Sequence, residues 1–340
     1  MQKPVINTSD EFTFAKLHGM WANAAKDARL AQLANAGSVD EIIRLLAEYK
    51  LDASRRELFH RNLLQREIES LSAISAQLDK RTAEFYRAFI ERAYFENIKA
   101  LLNDKFSTSR VTDIRHLLAN IPDLPEIPAA ELLGQDSAES FLQVLNPALF
   151  PEEIGAIVRK LFDDNNIMSM ECELDKLAYR HLLTHAENVP MNVRSACKAL
   201  VKMEIDIVNL RMLMRVVRTY RLDETTAAAI WIDGGTVPPA LLTTLSGLKT
   251  LADVVAKLPT AFRDALQPFT AADLYVSENT LWKLLYKQTK KYFSDYDHME
   301  LSIVAFPFLR HFESLNIARI YEGIRFGMRP QDVQEMLICS

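Results

Sequence analysis

Residues 204–221, EIDIVNLRMLMRVVRTYR, constrain this chain more than any other stretch, because a relative of the segment stands once before it and once near the end. At about 100° per residue, Ile205, Val208, Leu210, Met212, Leu213, Val216, Val217 and Tyr220 spread over most of a helix circumference. A helix so widely apolar belongs inside a bundle. The remaining arc carries Arg211, Arg215 and Arg218 at spacings of four and three, so three cations share one face. Asp206 and Asn209 fall within the apolar arc. Burying a carboxylate and an amide is costly unless each is hydrogen-bonded, which predicts a partner for both on a neighbouring helix or loop and gives them a structural role.

Aligned on their asparagines, DIVNLR (206–211), ESLNIA (313–318) and YFENIK (94–99) share one frame centred on Asn209, Asn316 and Asn97. An acid precedes the asparagine by three in two copies, as Asp206 and Glu313, and Tyr94 replaces it in the third. Arg110 and Arg329 stand thirteen residues after Asn97 and Asn316, followed by VTDI and PQDV. Offset by 107 residues, the separation of Asn209 and Asn316, LDKLAYR (174–180) matches LWKLLYK (281–287). A second element also occurs three times, as SVDEIIRLL from Ser38, SAESFLQVL from Ser137 and TLADVVAKL from Thr250. Each opens on a hydroxyl suited to capping a helix, and Glu41 completes a capping box in the first. A period near 110 residues exceeds that of any short-repeat solenoid, so three similar helical units are expected: 1–126 with the repeat beginning near 31, 127–236, and 237–340.

Nine glycines in 340 residues, with none and no proline between Ser38 and Ile121, argue for an all-α chain against a sandwich or barrel. Helical spacing persists from about Leu58 to Asp104, which implies an antiparallel or kinked helical arm. Residues 11–36 read as one amphipathic helix or a pair. Helices are also expected over 152–162, 170–187 and 193–222, with a break at Asp233, Gly234, Gly235, Pro238 and Pro239, and Gly327 ending the last long helix. Pro307 sits inside the expected third long helix and predicts a kink or break. A net charge of −5 disfavours nucleic acid as the main partner. Three dispersed cysteines, Cys172, Cys197 and Cys339, suit a reducing compartment. No apolar run nears the ~20 residues of a membrane span, and the N-terminal residues lack a signal core, so a soluble protein is expected.

Catalytic signals are thin. Asp163 and Asp164 resemble the opening of a metal-binding aspartate motif, but Ile167 stands at its fifth position and a solvated loop is the preferred reading. His181 and His185 are one turn apart without the glutamate of a zinc protease or an evident third ligand. No phosphate-binding glycine loop is present. No catalytic residue, metal, cofactor or small-molecule substrate is therefore assigned.

Together the three asparagine helices, the three capped helices and the closing FGMRPQDV (326–333) resemble the C subunit of bacterial and archaeal V-type (A-type) ATP synthases, whose eukaryotic counterpart is the vacuolar pump's d subunit. The resemblance covers nearly the whole chain. It implies a funnel of three helical subdomains about a pseudo-threefold axis. Such a protein is a non-catalytic adaptor, peripheral on the cytoplasmic face, that caps the membrane proteolipid ring and accepts the foot of the central stalk. Tyr94, Ala318 and Pro307 depart from the pattern. On this reading Arg211, Arg215 and Arg218 are candidate stalk contacts. The alternatives are an all-helical metal-dependent enzyme using Asp163, Asp164 and His181, and an unrelated helical scaffold.

Overall fold

The computed structural model describes residues 8–107, 113–269 and 274–338; Cys339 and the Arg110–Val111–Thr112 part of the repeat lie outside them. Among the described residues every regular element is helical. Short helices α1 (Thr8–Ala22), α2 (Asp27–Ala34) and α3 (Val39–Leu45) precede a hairpin of long ones, α4 (Arg56–Ser75) and α5 (Lys80–Phe106). Then α6 (Ala129–Leu133), α7 (Ala138–Leu145) and α8 (Pro151–Asp164) precede α9 (Ile167–Asn188) and α10 (Met191–Arg215). A third set, α11 (Glu224–Ile230), α12 (Pro239–Ser246), α13 (Leu251–Ala256) and α14 (Thr260–Leu266), precedes α15 (Leu274–Phe293) and α16 (Leu301–Arg325), and α17 (Pro330–Glu335) follows.

The expected caps form. Ser38, Ser137 and Thr250 accept the backbone N–H of Glu41, Ser140 and Asp253, satisfying donors that the first turns of α3, α7 and α13 leave open. The long arm is a hairpin, and Asp79 caps α5 by accepting from Arg81 and Thr82. Beyond Arg215 the chain winds as a π-turn over Val216–Tyr220, closed by Arg221 N–H on the Val216 carbonyl, so the uniform helical wheel fails there.

Of the kink or break expected at Pro307, the break does not occur: α16 runs from Leu301 to Arg325 with the proline inside it. Proline removes the N–H that would have reached the Ile303 carbonyl four residues earlier. The buried Tyr86 hydroxyl donates to that carbonyl at 2.6 Å, so a side chain from α5 replaces the missing backbone bond.

The asparagines do one job three times. Asn97 donates to the Ala119 carbonyl and accepts from its N–H, at 2.8 and 2.9 Å. Asn209 makes the same pair of bonds to Ile232, and Asn316 accepts from Ile338 N–H at 2.8 Å. Each clamp pins the returning chain to the long helix it has just left. Three residues earlier in each copy, an oxygen accepts from the backbone of another segment: Asp206 from Val237 and Thr236, Glu313 from Ala25, and the hydroxyl of Tyr94 from Ala148. Tyr94 therefore also accepts a backbone N–H, in its case from the stretch between α7 and α8. Gly235 permits the tight wrap around Asp206, since a methyl group there would overlap the carboxylate oxygen.

Packing of the long helices runs in a closed circuit: α4 on α5, α5 on α9, α9 on α10, α10 on α15, α15 on α16, and α16 on α4. Chain connectivity does not supply the last contact. Glu313, buried on α16, holds Ala25 N–H at 2.8 Å and also binds Tyr49 and Arg310. Around it, Leu30, Ile42, Phe59, Ile320, Tyr321 and Val333 form a separate apolar cluster, with Phe59 and Tyr321 stacked at 3.8 Å.

Candidate functional site

A cavity of about 490 Å³ lies where the six long helices face one another, and every one of them contributes to its wall. The asparagine register explains which side chains reach it. Because the asparagine points toward its own clamp, the positions one before and two after lie on another face of the helix. These are Glu96 and Lys99 on α5, Val208 and Arg211 on α10, and Leu315 on α16. Five before the asparagine stand Arg92, Glu204 and His311, of which Arg92 and His311 line the cavity. The first helix of each hairpin completes the wall with residues such as Glu67, Asp175, Tyr179 and Trp282. A larger cleft, about 780 Å³, opens on the flank beside Asn97 and α6 and is lined by residues between Arg61 and Glu131.

Cross-helix ion pairs wire the wall. The Arg92 guanidinium spans both oxygens of the fully buried Glu204, at 2.7 and 3.3 Å, and Tyr179 donates to the same carboxylate at 3.2 Å. Burial alone would lower the Arg92 pKa, but the charge and hydrogen bond of Glu204, with Tyr179 and Glu67, together outweigh it and raise the value. Lys99 reaches Asp175 at 2.7 Å, and His311 meets the buried Glu67 at 3.1 Å. Burial pushes the Glu67 carboxyl up, yet His311, Ser314 and Arg310 together hold it below its ordinary value. Such pairs add little net stability, but they penalise any sliding of one hairpin past the next. Phe85 and Tyr86 on α5, Cys197 and Leu200 on α10, and Phe306 and Phe308 on α16, nearer the turns of their hairpins, are buried. The result is a socket whose wall sets these charged groups among apolar side chains such as Phe89, Ile90 and Trp282.

The arginine face is split among three environments. Arg211 lines the cavity, lies 5.5 Å over the Trp282 ring and donates to Glu278 on α15 at 3.0 Å. Arg215 binds both oxygens of the same carboxylate, at 2.8 and 3.0 Å. Arg218 is exposed on the π-turn. Asp206 and Asn209 are buried and hydrogen-bonded, as their place in the apolar arc predicts. Burial raises the pKa of Asp206 despite the opposing bonds from Thr236 and Val237.

Asp163 and Asp164 end α8 on an exposed loop, where Asp164 accepts from Asn166 N–H. His181 binds Glu91 at 2.7 Å and meets His185 edge-on. Among the described residues no group of three or more His, Cys, Asp or Glu is placed to hold a metal ion. No described helix is long and apolar enough to cross a membrane. Sequence reading missed Glu278, Glu67, Arg92 and Glu204. The last two had a signal, since every copy has a titratable residue five before its asparagine.

Residues 13–336 match the family model described as ATP synthase (C/AC39) subunit. The A-type ATP synthase C subunit of Methanosarcina acetivorans is 24% identical over 324 residues, covering 90% of this chain and 86% of its own length. That of Methanosarcina barkeri is 24% identical over 257 residues, covering 74% and 69%. The Halobacterium salinarum protein of the same description is 25% identical over 260 residues, covering 71% and 70%. A match over almost the whole length, on a chain whose described elements are all helical and close around three asparagine clamps, makes this protein a member of the ATP synthase (C/AC39) subunit family.

Proposed function

We propose that this chain is the non-catalytic rotor adaptor of a V-type (A-type) ATP synthase, holding the foot of the central stalk in its socket and transmitting torque to a membrane proteolipid ring for proton or sodium transport. The carrying observation is the cavity walled by all six long helices. A shaft enters from the open side, opposite the hairpin turns. The turns then face the ring at the cytoplasmic surface, and the three helical units stand as a pseudo-threefold funnel around the shaft. Exposed large apolar side chains favour two docking ends: Met191 and Tyr296 lie at the hairpin turns, whereas Tyr220, Tyr275, Phe326 and Met328 lie at the opposite end of the long helices. Arg211, Arg215 and Arg218 supply charge on the socket side, where charged contacts set orientation more than raw affinity.

Co-purification from native membranes tests the assembly. Full-length chain should bring down both the stalk and the ring. Val208→Trp, which fills the socket from its wall, should abolish stalk capture and leave ring capture and helical content unchanged. Undiminished stalk capture by Val208→Trp would reject the socket.

A further inference from the structure

The three hairpin turns are chemically unequal, and one is built for docking. Between α15 and α16, residues 294–300 present Tyr296 at 65% exposure among Asp295, Asp297 and Glu300. The turn is pre-formed: one Asp295 oxygen accepts the N–H groups of Asp297 and His298, each at 3.1 Å, and contacts the His298 ring. Behind Tyr296 stands a rigid aromatic platform from α1. Phe14 meets it edge-on at 5.6 Å, and His18 lies 5.7 Å away, stacked on Phe293 at 4.2 Å and bonded to the Phe293 carbonyl. Helix α1 is braced from the other side by Lys16, which donates to Gln77 in the α4–α5 turn. The neighbouring cation Lys290 is drawn 5.6 Å over the Trp21 ring, and Lys291 is exposed.

The other turns lack this combination. Between α4 and α5, Leu78 is half-buried, while the α9–α10 turn exposes Met191 beside Arg194 and Lys198. An aromatic knob that is fixed in place costs little conformational entropy on binding, and a ring face flanked by carboxylates favours a cation.

Resting on the adaptor reading above, we infer that Tyr296 with Asp295, Asp297 and Glu300 is the main anchor to the membrane ring, seated on a cytoplasmic loop that carries Lys or Arg. The charge argument chooses the occupant. Cytoplasmic loops of membrane proteins are enriched in Lys and Arg, whereas the anionic lipid surface repels three carboxylates. The pseudo-threefold body would thus hold its ring by one dominant turn, with the other two as weaker supports.

Binding of the full chain to detergent-solubilised proteolipid ring tests this. Tyr296→Ala combined with Asp297→Lys should weaken ring binding at least about tenfold, as loss of an aromatic hot spot does, and leave stalk binding and thermal melting unchanged. Met191→Ala should change ring binding less than about threefold, as a peripheral contact does. Equal ring affinity for the double variant and wild type would overturn the anchor, as would a loss confined to stalk binding. Capture of wild-type chain by phosphatidylserine vesicles without ring would overturn the choice of occupant. Wild-type chain that binds stalk but no ring would remove the adaptor reading itself.

Discussion

Replacing Asn209 by leucine removes the clamp while nearly conserving side-chain volume, and its cost follows from the bonds lost. Asn209 is 1% exposed and its partner Ile232 is 4% exposed, so neither the N–H nor the carbonyl of Ile232 can turn to water. Each orphaned group costs about 1–3 kcal/mol. Two of them, less the gain from no longer burying an amide, give a loss of about 3 kcal/mol. Against a total stability of about 5–15 kcal/mol this is a large fraction. Urea unfolding followed by circular dichroism should show a lower midpoint with an unchanged slope. Asn97→Leu should fall in the same range, because it breaks the same pair of bonds at Ala119. The control is Asn188→Leu at an exposed site bonded only locally to Thr184, expected within about 0.5 kcal/mol of wild type. If Asn209→Leu behaved like Asn188→Leu, the clamp would carry no load.

Tyr86→Phe should cost about 1–2 kcal/mol by uncovering the Ile303 carbonyl, and clearly less in a Pro307→Ala background where a backbone N–H returns; an additive double-mutant cycle would refute the exchange. Glu278→Ala should destabilise by about 1–2 kcal/mol, discounted because Arg211 and Arg215 are 29% and 43% exposed, and the reversal Arg211→Glu with Arg215→Glu should also lower the melting temperature instead of behaving as a change on a solvated face. Glu67, held below its ordinary value of 4.5, contributes stability that is fully present above pH 4.5 and lost as pH falls through the folded value. The stability gap between wild type and Glu67→Gln should therefore shrink on acidification in urea melts; a gap constant down to about pH 3 would contradict the assignment.

The repeat was legible because a polar residue in an apolar arc is rare, and three such residues in one frame point to one solution used three times. Caps were legible because a hydroxyl and the N–H it accepts lie within one turn. Partners across helices were not. Nothing local announces that Glu278 will sit between Arg211 and Arg215, so two of the three candidate stalk contacts carry an internal partner that sequence did not reveal. The outcome at Pro307 was equally hidden, since the hydroxyl that rescues Ile303 lies 217 residues upstream. Helix α11 escaped notice because ETTAAAI has too few large apolar residues to show a period, and the π-turn because its shift in register follows from backbone hydrogen bonding.

The bond from Ala25 to Glu313 spans 288 residues, and the one from His60 to Glu322 spans 262. A ribosome therefore releases the start of the circuit long before its closing helix exists. Until α16 emerges, the cluster that holds Phe59 and Leu63 lacks Ile317, Ile320 and Tyr321, and the second and third hairpins can only add to an open arc. Contacts of such long sequence separation form late and slowly. The nascent chain is thus an open clasp for most of its synthesis, and loss of α16 would leave it without the bonds that Glu313 and Glu322 make to Ala25 and His60.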